Sequence, residues 1–345
     1  MDSPKMQESG KNGLPMQDFD FDERDLRLLH ALQVRPRAPW TALAPVVGAD
    51  AVTLARRWNV LQDRGLAWMT SYKGSGARFV GAIIDVTCAP SMMSAVIQGL
   101  VRDREVVSVD QTAGARDLIL TVFCSTDAEL STFLLDRIPA VEGITSTRTH
   151  RVTRMITDAR KWRLRSLATD EVRALERAVP LPTPRASAVS AEVEKDLAGI
   201  LLMDGRTSVA DLARLLRISP TRAKTALANV LGSQRVVVRL ELARTSSPWP
   251  VCVWYFLSAP ASKVDLVAAS LAGLNEARLV VTTGGTHSIA MAVWLRGVED
   301  MAVLERQLGE QLPYVEIADR SIVLRTPKHM GKRLDTDGRR IIQEI

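Results

Sequence analysis

The chain has 345 residues, 46% of them hydrophobic and 24% charged, with a net charge of +6 at neutral pH. That balance suits a globular protein of roughly two to four compact units. It excludes a membrane-spanning helix, because no stretch approaches ~18 uninterrupted apolar residues. Only nine of the 45 basic residues are Lys, and the dominant Arg favours planar, bidentate contacts to phosphate and guanine.

Residues 1–19 include MDSPKMQESGKNGLPMQ, which is polar and lacks the apolar core of a secretion signal. They read as a disordered leader, and a cytoplasmic location is expected. Cys88, Cys124 and Cys252 are far apart and lack CxxC spacing. Each sits among apolar residues, as buried small side chains in a reducing compartment do.

The first unit is expected at 20–76. Asp22 can cap a helix carrying Leu26, Leu29 and Leu32 on one face. Leu43, Ala44 and Val47 form the next helix, and Gly48 supplies a turn. Leu54, Trp58 and Leu61 are the buried stripe of a third helix. Its outer face keeps Arg56, Arg57 and Asn59. Asp50 at its start would be repelled by phosphate unless it accepts from a cytosine amine. Leu66–Tyr72 with Lys73-Gly74-Ser75-Gly76 suggests a hairpin, a wing.

From Phe79 the periodicity changes. FVGAIIDV reads as a strand, and Met92, Val96 and Leu100 mark a helix. Val106–Val109 and Leu118–Phe123 are strands about a turn. Leu130, Phe133 and Leu134 mark another helix, and Ile144–Val152 a fourth strand. The order β-α-β-β-α-β over 77–156 is a ferredoxin-like layout.

Thr153 to Arg177 reads as a charged, helical connector. AVPLPTPRASAV is Pro-rich, so 157–189 is taken as connector and linker.

The unit at 190–246 contains the stretch on which the chain is organised, Asp204 to Leu231. Leu212, Ala213, Leu215 and Leu216 give one helix an apolar face. Ser219 caps the next and Pro220 opens it. Ala223, Leu227 and Val230 face inward, leaving Ser219, Thr221, Arg222, Lys224 and Thr225 outside with no acid among them. A helix that enters a major groove needs such a face. A helical hairpin that only packs a core is the plainer alternative. Superposing Leu43-Ala44 on Leu212-Ala213 aligns both turns at an offset of 169 residues, so the chain carries an internal repeat. VVVRLELA takes the place of the first wing. A second β-α-β-β-α-β pattern fills 247–326, and a basic tail, solvated or touching DNA, follows at 327–345.

GRTSVADLARLLRISPTRAKTAL resembles the helix-turn-helix of the Lrp/AsnC family of transcription regulators in length, turn position and its Ser-Pro-Thr opening. The first copy is similar, with Asp50, Ala51 and Val52 at those three positions. The resemblance implies an α+β fold of two winged helix-turn-helix domains, each followed by a ferredoxin-like βαββαβ domain, in tandem. It implies double-stranded DNA as partner, read by Ser219, Thr221, Arg222, Lys224 and Thr225 and by Arg56, Arg57 and Asn59. It also implies a small effector, typically an amino acid, near the turn between the second and third strands. Thr112, Gly114 and Asp117 match that region, with one extra residue between Thr and Gly. In the second copy Thr283, Gly285 and Ser288 align, so the acid is missing. A plain β-turn is the alternative for both. Because family members pair through their ferredoxin-like sheets, two such domains in one chain imply an intramolecular pseudo-dimer, open to higher assembly.

His30, His150, His287 and His329 show no metal-ligand spacing, and no nucleophile elbow, P-loop or dinucleotide fingerprint appears. No catalytic residue, metal or cofactor is expected. Siroheme decarboxylases share the duplicated architecture. They would need histidines and a run of Tyr, Arg and Trp beside the strand-two turn, where this chain has VDQTAGARDLIL and VVTTGGTHSIAM.

Overall fold

The computed structural model describes residues 21–74, 80–184 and 189–342. The leader at 1–19 and the wing residues Ser75 and Gly76 lie outside them.

The N-terminal unit is three helices, α1 (Glu23–Val34), α2 (Trp40–Val47) and α3 (Ala51–Asp63), followed by strand β1 (Ala67–Lys73). Asp22 accepts from the Asp25 amide and Asp25 returns the bond, a capping box. Gly48 turns the chain between α2 and α3 at φ 79°, a conformation glycine adopts without strain.

Strands β2 (Val80–Cys88), β3 (Val106–Ala113), β4 (Leu118–Cys124) and β5 (Ile144–Thr157) follow, with α4 (Met93–Arg102) and α5 (Asp127–Thr132) between them. Helix α6 (Thr169–Ala178) leads to the second half. There α7 (Ala191–Met203), α8 (Val209–Leu216), α9 (Pro220–Gly232) and β6 (Val236–Leu242) repeat the helical unit. Arg217 occupies the place of Gly48 and takes the same left-handed conformation, φ 53°. Then β7 (Val251–Ser258), α10 (Val264–Leu271), β8 (Ala277–Gly284), β9 (Ile289–Leu295), α11 (Asp300–Gln311), β10 (Glu316–His329) and the short β11 (Lys332–Arg333) repeat the sheet unit.

Each half pairs its strands as a ferredoxin-like sheet, β5-β2-β4-β3 and β10-β7-β9-β8. The two sheets then join at both edges. Residues 151–157 of β5 pair with β8, and residues 322–328 of β10 pair with β3. The pairing closes into a ring of eight strands through these two partial joins, and β11 is appended on β10. One apolar cluster of each half, around Ile84 and Leu120 or Val253 and Met291, packs under its own helices. The inward residues Ile83, Ile119, Trp254, Phe256 and Trp294 belong to a third cluster, continuous with the helical units.

Three expectations need correction. The wing is not a hairpin within each copy: β1 pairs antiparallel with β6 of the other copy, Ala67 opposite Leu242 through Lys73 opposite Val236. The connector is not helical from Thr153, because Thr153–Thr157 continues β5, and the helix begins only at Thr169. Residues 327–342 are not a solvated tail. Lys328 is 5% exposed, Lys332 Nζ donates to the Leu202 carbonyl, and the Arg340 amide donates to Gly65. In the first two departures the partner comes from the opposite half of the chain, and in the third from both halves, Leu202 from its own and Gly65 from the other.

Candidate nucleic-acid interface and effector turns

In α9 the Ser219 hydroxyl accepts from the Arg222 amide at 3.3 Å, and Pro220 opens the helix, where its missing amide hydrogen costs nothing. Ala223, Ala226 and Val230 are buried. Thr221, Arg222 and Lys224 are exposed, and Thr225 is half-buried with its hydroxyl on the Thr221 carbonyl. Neither Arg222 nor Lys224 has an acidic partner among the described residues. This face is cationic, uncommitted and held on a rigid helix.

The face of α3 is built differently. Asp50 caps the helix through the Val52 and Thr53 amides at 3.0 and 2.9 Å, and also accepts from the Thr53 hydroxyl at 2.6 Å. Those bonds, the Thr53 hydroxyl first, hold its carboxyl below the usual range. Arg56 and Asn59 are exposed. Arg57 is not free: its guanidinium binds Asp22 and the 1%-exposed Asp25 of α1. Its outward position in the helix was legible, but its acidic partners were not.

The two candidate effector turns have one construction. Thr112 donates its hydroxyl to the Arg116 carbonyl at 2.8 Å, and the Thr112 amide bonds the Asp117 carbonyl. The Asp117 carboxylate accepts from the Cys88 amide at 2.8 Å. In the second copy Thr283 donates to the His287 carbonyl at 2.6 Å, and the Ser288 hydroxyl accepts from the Ala259 amide at 3.0 Å. Serine does there what the acid does in the first copy, which explains the missing carboxylate. Gly114 and Gly285 lie against the last strand of the opposite half, near Ser321 and His150.

Between the turns lies a buried cluster that the linear spacing hid. Arg116, 4% exposed, bonds Asp85 at 3.1 Å, Ser321 at 2.8 Å and Asp319. Its guanidinium also lies 4.3 Å from the Phe256 ring centroid. His150 reaches the same Asp85 oxygen at 3.2 Å and stacks on His287 at 5.6 Å. Burial, then the neighbouring His150, lowers the His287 pKa. One signal pointed here: the sheet repeat sets His287 opposite Arg116. Among the described residues no group of three or more His, Cys, Asp and Glu is placed to hold a metal ion.

With this geometry in place, the chain can be set beside known proteins. A profile of the AsnC-type helix-turn-helix domain matches residues 21–62, and one of the Lrp/AsnC ligand binding domain matches residues 81–162. An uncharacterised HTH-type transcriptional regulator of Pyrococcus furiosus is 30% identical over 147 residues, 41% of this chain and 95% of that protein. The chain belongs to the Lrp/AsnC family. A second such regulator, from Pyrococcus horikoshii, is 27% identical over 148 residues and is 90% covered. Both profile matches fall in the first half, so Lrp/AsnC character in the second half rests on the repeat. Whole-chain likeness is found among solved structures. The siroheme decarboxylase NirDL matches with TM-score 0.56 over 90% of this chain and 93% of its own, at 12% identity. That likeness concerns the fold.

Proposed function

We propose that this is a single-chain, two-headed DNA-binding transcription regulator whose halves form the pseudo-dimer that other Lrp/AsnC proteins build from two chains. The observation that carries the reading is the closed ring. Sheets that would pair between chains pair within one, and both helix-turn-helix units are bound to it. Two readers on one body suit half-sites about one helical turn, ~34 Å, apart or a multiple of it. Ser219, Thr221, Arg222, Lys224 and Thr225 read one half-site; Arg56 and Asn59 serve the other with fewer cations. The operator is therefore only weakly palindromic.

An amino acid or similar molecule acts as effector beside the second turn. A pocket of about 350 Å³ is lined there by Thr283, Ser288, Arg154 and Asp265. Arg154 pairs with Asp265 at 3.0 Å, so the pocket already holds a cation for a carboxylate and an anion for an ammonium. The protein works without catalysis, in the cytoplasm. Among the described residues no helix is long and apolar enough to cross a membrane.

The test is selection of bound fragments from genomic DNA, with and without an amino-acid mixture. A non-palindromic site whose occupancy changes with the mixture supports the reading. Failure to bind any duplex at low ionic strength ends it. The whole-chain likeness to NirDL favours one other reading, a tetrapyrrole enzyme using His150 and His287. Purified protein carrying a strong Soret band would establish that reading instead.

A further inference from the structure

Between the β1/β6 strand pair and the open end of the strand ring lies a chamber of about 1480 Å³. Tyr72 and Arg239 line it from the strand pair, Trp254, Arg278 and Trp294 from the ring, and Lys328 from β10. It exceeds the ~300–1,000 Å³ of ordinary small-molecule sites and is far larger than the pocket beside the second turn. It is therefore oversized for an amino acid.

Its electrostatics are lopsided. Eleven Arg and Lys residues line it against five Asp and Glu. Three of the cations are sequestered from water: Arg239, Arg278 and Lys328 are 8%, 6% and 5% exposed. A buried cation is costly unless paired and hydrogen-bonded. Here the pairing is incomplete. Arg239 and Arg278 share one carboxylate, Glu241, which His329 also contacts at 3.2 Å. Arg278 uses one nitrogen on Glu241, at 2.9 Å, and lies 3.8 Å from the Trp294 ring centroid. Lys328 donates to the Asp103 carbonyl at 2.6 Å and has no carboxylate within ion-pair distance among the described residues. Burial lowers the pKa of Lys328, with the more distant Asp103 and Glu105 carboxylates opposing, and takes that of Arg278 down to about 10, with Glu241 opposing. The Ser71 hydroxyl, also on the wall, is buried without a hydrogen-bond partner.

We propose that this chamber is a second ligand site, for an organic polyanion larger than an amino acid, carboxylated or phosphorylated, with an apolar body. The anionic groups complete the pairing of Arg278 and Lys328, and Trp254 and Trp294 take the apolar body. The occupant touches both the strand pair that joins the reading units and the ring beneath them. The binding claim stands independently of whether the chain reads DNA.

The full-length chain is titrated with pyrene-1,3,6,8-tetrasulfonate, followed by calorimetry and by quenching of tryptophan emission. One equivalent is expected to bind. Ala292→Phe, which fills the chamber wall, abolishes binding. Arg325→Glu, at an exposed lining position, weakens it about tenfold. Arg222→Ala with Lys224→Ala, on the outer face of α9, leaves it unchanged. No binding at low ionic strength overturns the proposal. So does binding that follows the α9 cations and ignores Ala292→Phe, since the probe then coats a basic surface. Should Ala292→Phe fail to fold, Arg325→Glu decides, and unchanged affinity there overturns the proposal as well.

Discussion

Arg37 and Arg206 occupy equivalent positions in the two copies, and each guanidinium crosses to the other copy's turn. Arg37 donates to the carbonyls of Gly205 and Thr207, the latter at 2.7 Å. Arg206 donates to those of Pro36 and Ala38, at 2.6 and 2.8 Å. The exchange is reciprocal at the repeat offset of 169 residues, as across the two-fold axis of a dimer. Burial lowers both side chains' pKa, that of Arg206 to about 10; both stay charged at neutral pH. Either Arg→Ala change removes two charge-assisted bonds and strands two carbonyls. A cost of about 1.5–3 kcal/mol each is expected in urea unfolding. Because the two share one interface, the double variant should cost measurably less or more than the sum. Strict additivity would mean that the two crossings do not act together.

The two reading helices should respond differently to loss of an arginine. Arg222→Ala should weaken specific DNA binding by about 1–3 kcal/mol and shift sequence preference if the guanidinium reads a base. If it meets only phosphate, affinity drops evenly across sequences and the salt slope shrinks. Arg57→Ala should act first on folding, because it leaves Asp25, 1% exposed, without its cation. Equilibrium unfolding and duplex titration of both variants separate the two effects. Intact stability in Arg57→Ala with weakened DNA binding would reverse the assignment of Arg57.

The fold was largely readable because its signals are local. Apolar spacing along Leu54, Trp58 and Leu61 or Ala223, Leu227 and Val230, caps at Asp22 and Ser219, and turns at Gly48 and Arg217 need no distant partner. The ends of β5 and β10 were misread because Thr153–Thr157 runs on into a charged stretch and Arg325–His329 is itself charged, and only an edge strand of the other half makes them strands. The same limit applies to the site. Arg222 is exposed where its helical position puts it, whereas the Arg57 ion pairs and the Arg116 cluster depend on elements brought together from far along the chain.

A pH effect should come from His30. It is 3% exposed, and its Nδ1 accepts from the Leu167 amide at 2.9 Å. That bond needs an unprotonated nitrogen. Burial, then the Arg163 charge, lowers its pKa from 6.5 to about 4; Glu171 opposes and Arg27 assists. Between those values the unfolded chain binds a proton that the folded chain refuses. The contribution is therefore complete above pH 6.5 and lost as pH falls toward 4. The full span is on the order of 3 kcal/mol. Carboxylates titrate nearby, so the measurement is the stability difference between the wild-type chain and His30→Gln at a series of pH values. That difference should shrink from pH 7 to pH 4; a flat difference would sink the claim.

The last prediction concerns the buried cluster between the turns. Asp85 is 7% exposed and takes bonds from both Arg116 and His150 on one oxygen, while its other oxygen has no partner. Arg116→Met removes the cation while leaving an aliphatic chain over Phe256. The carboxylate then faces His150 alone, and the expected loss is about 3–5 kcal/mol, the cost of breaking a buried pair from one side. Asp85→Asn in the same chain removes the stranded charge and should restore much of that loss. His150 can still donate to the amide oxygen, and Asp319 keeps its access to solvent. Thermal unfolding of the single and double variants gives the coupling directly. A double variant as unstable as the sum of the singles would mean that Arg116 serves Asp319 and Ser321 on β10, holding the two halves together there and owing little to Asp85.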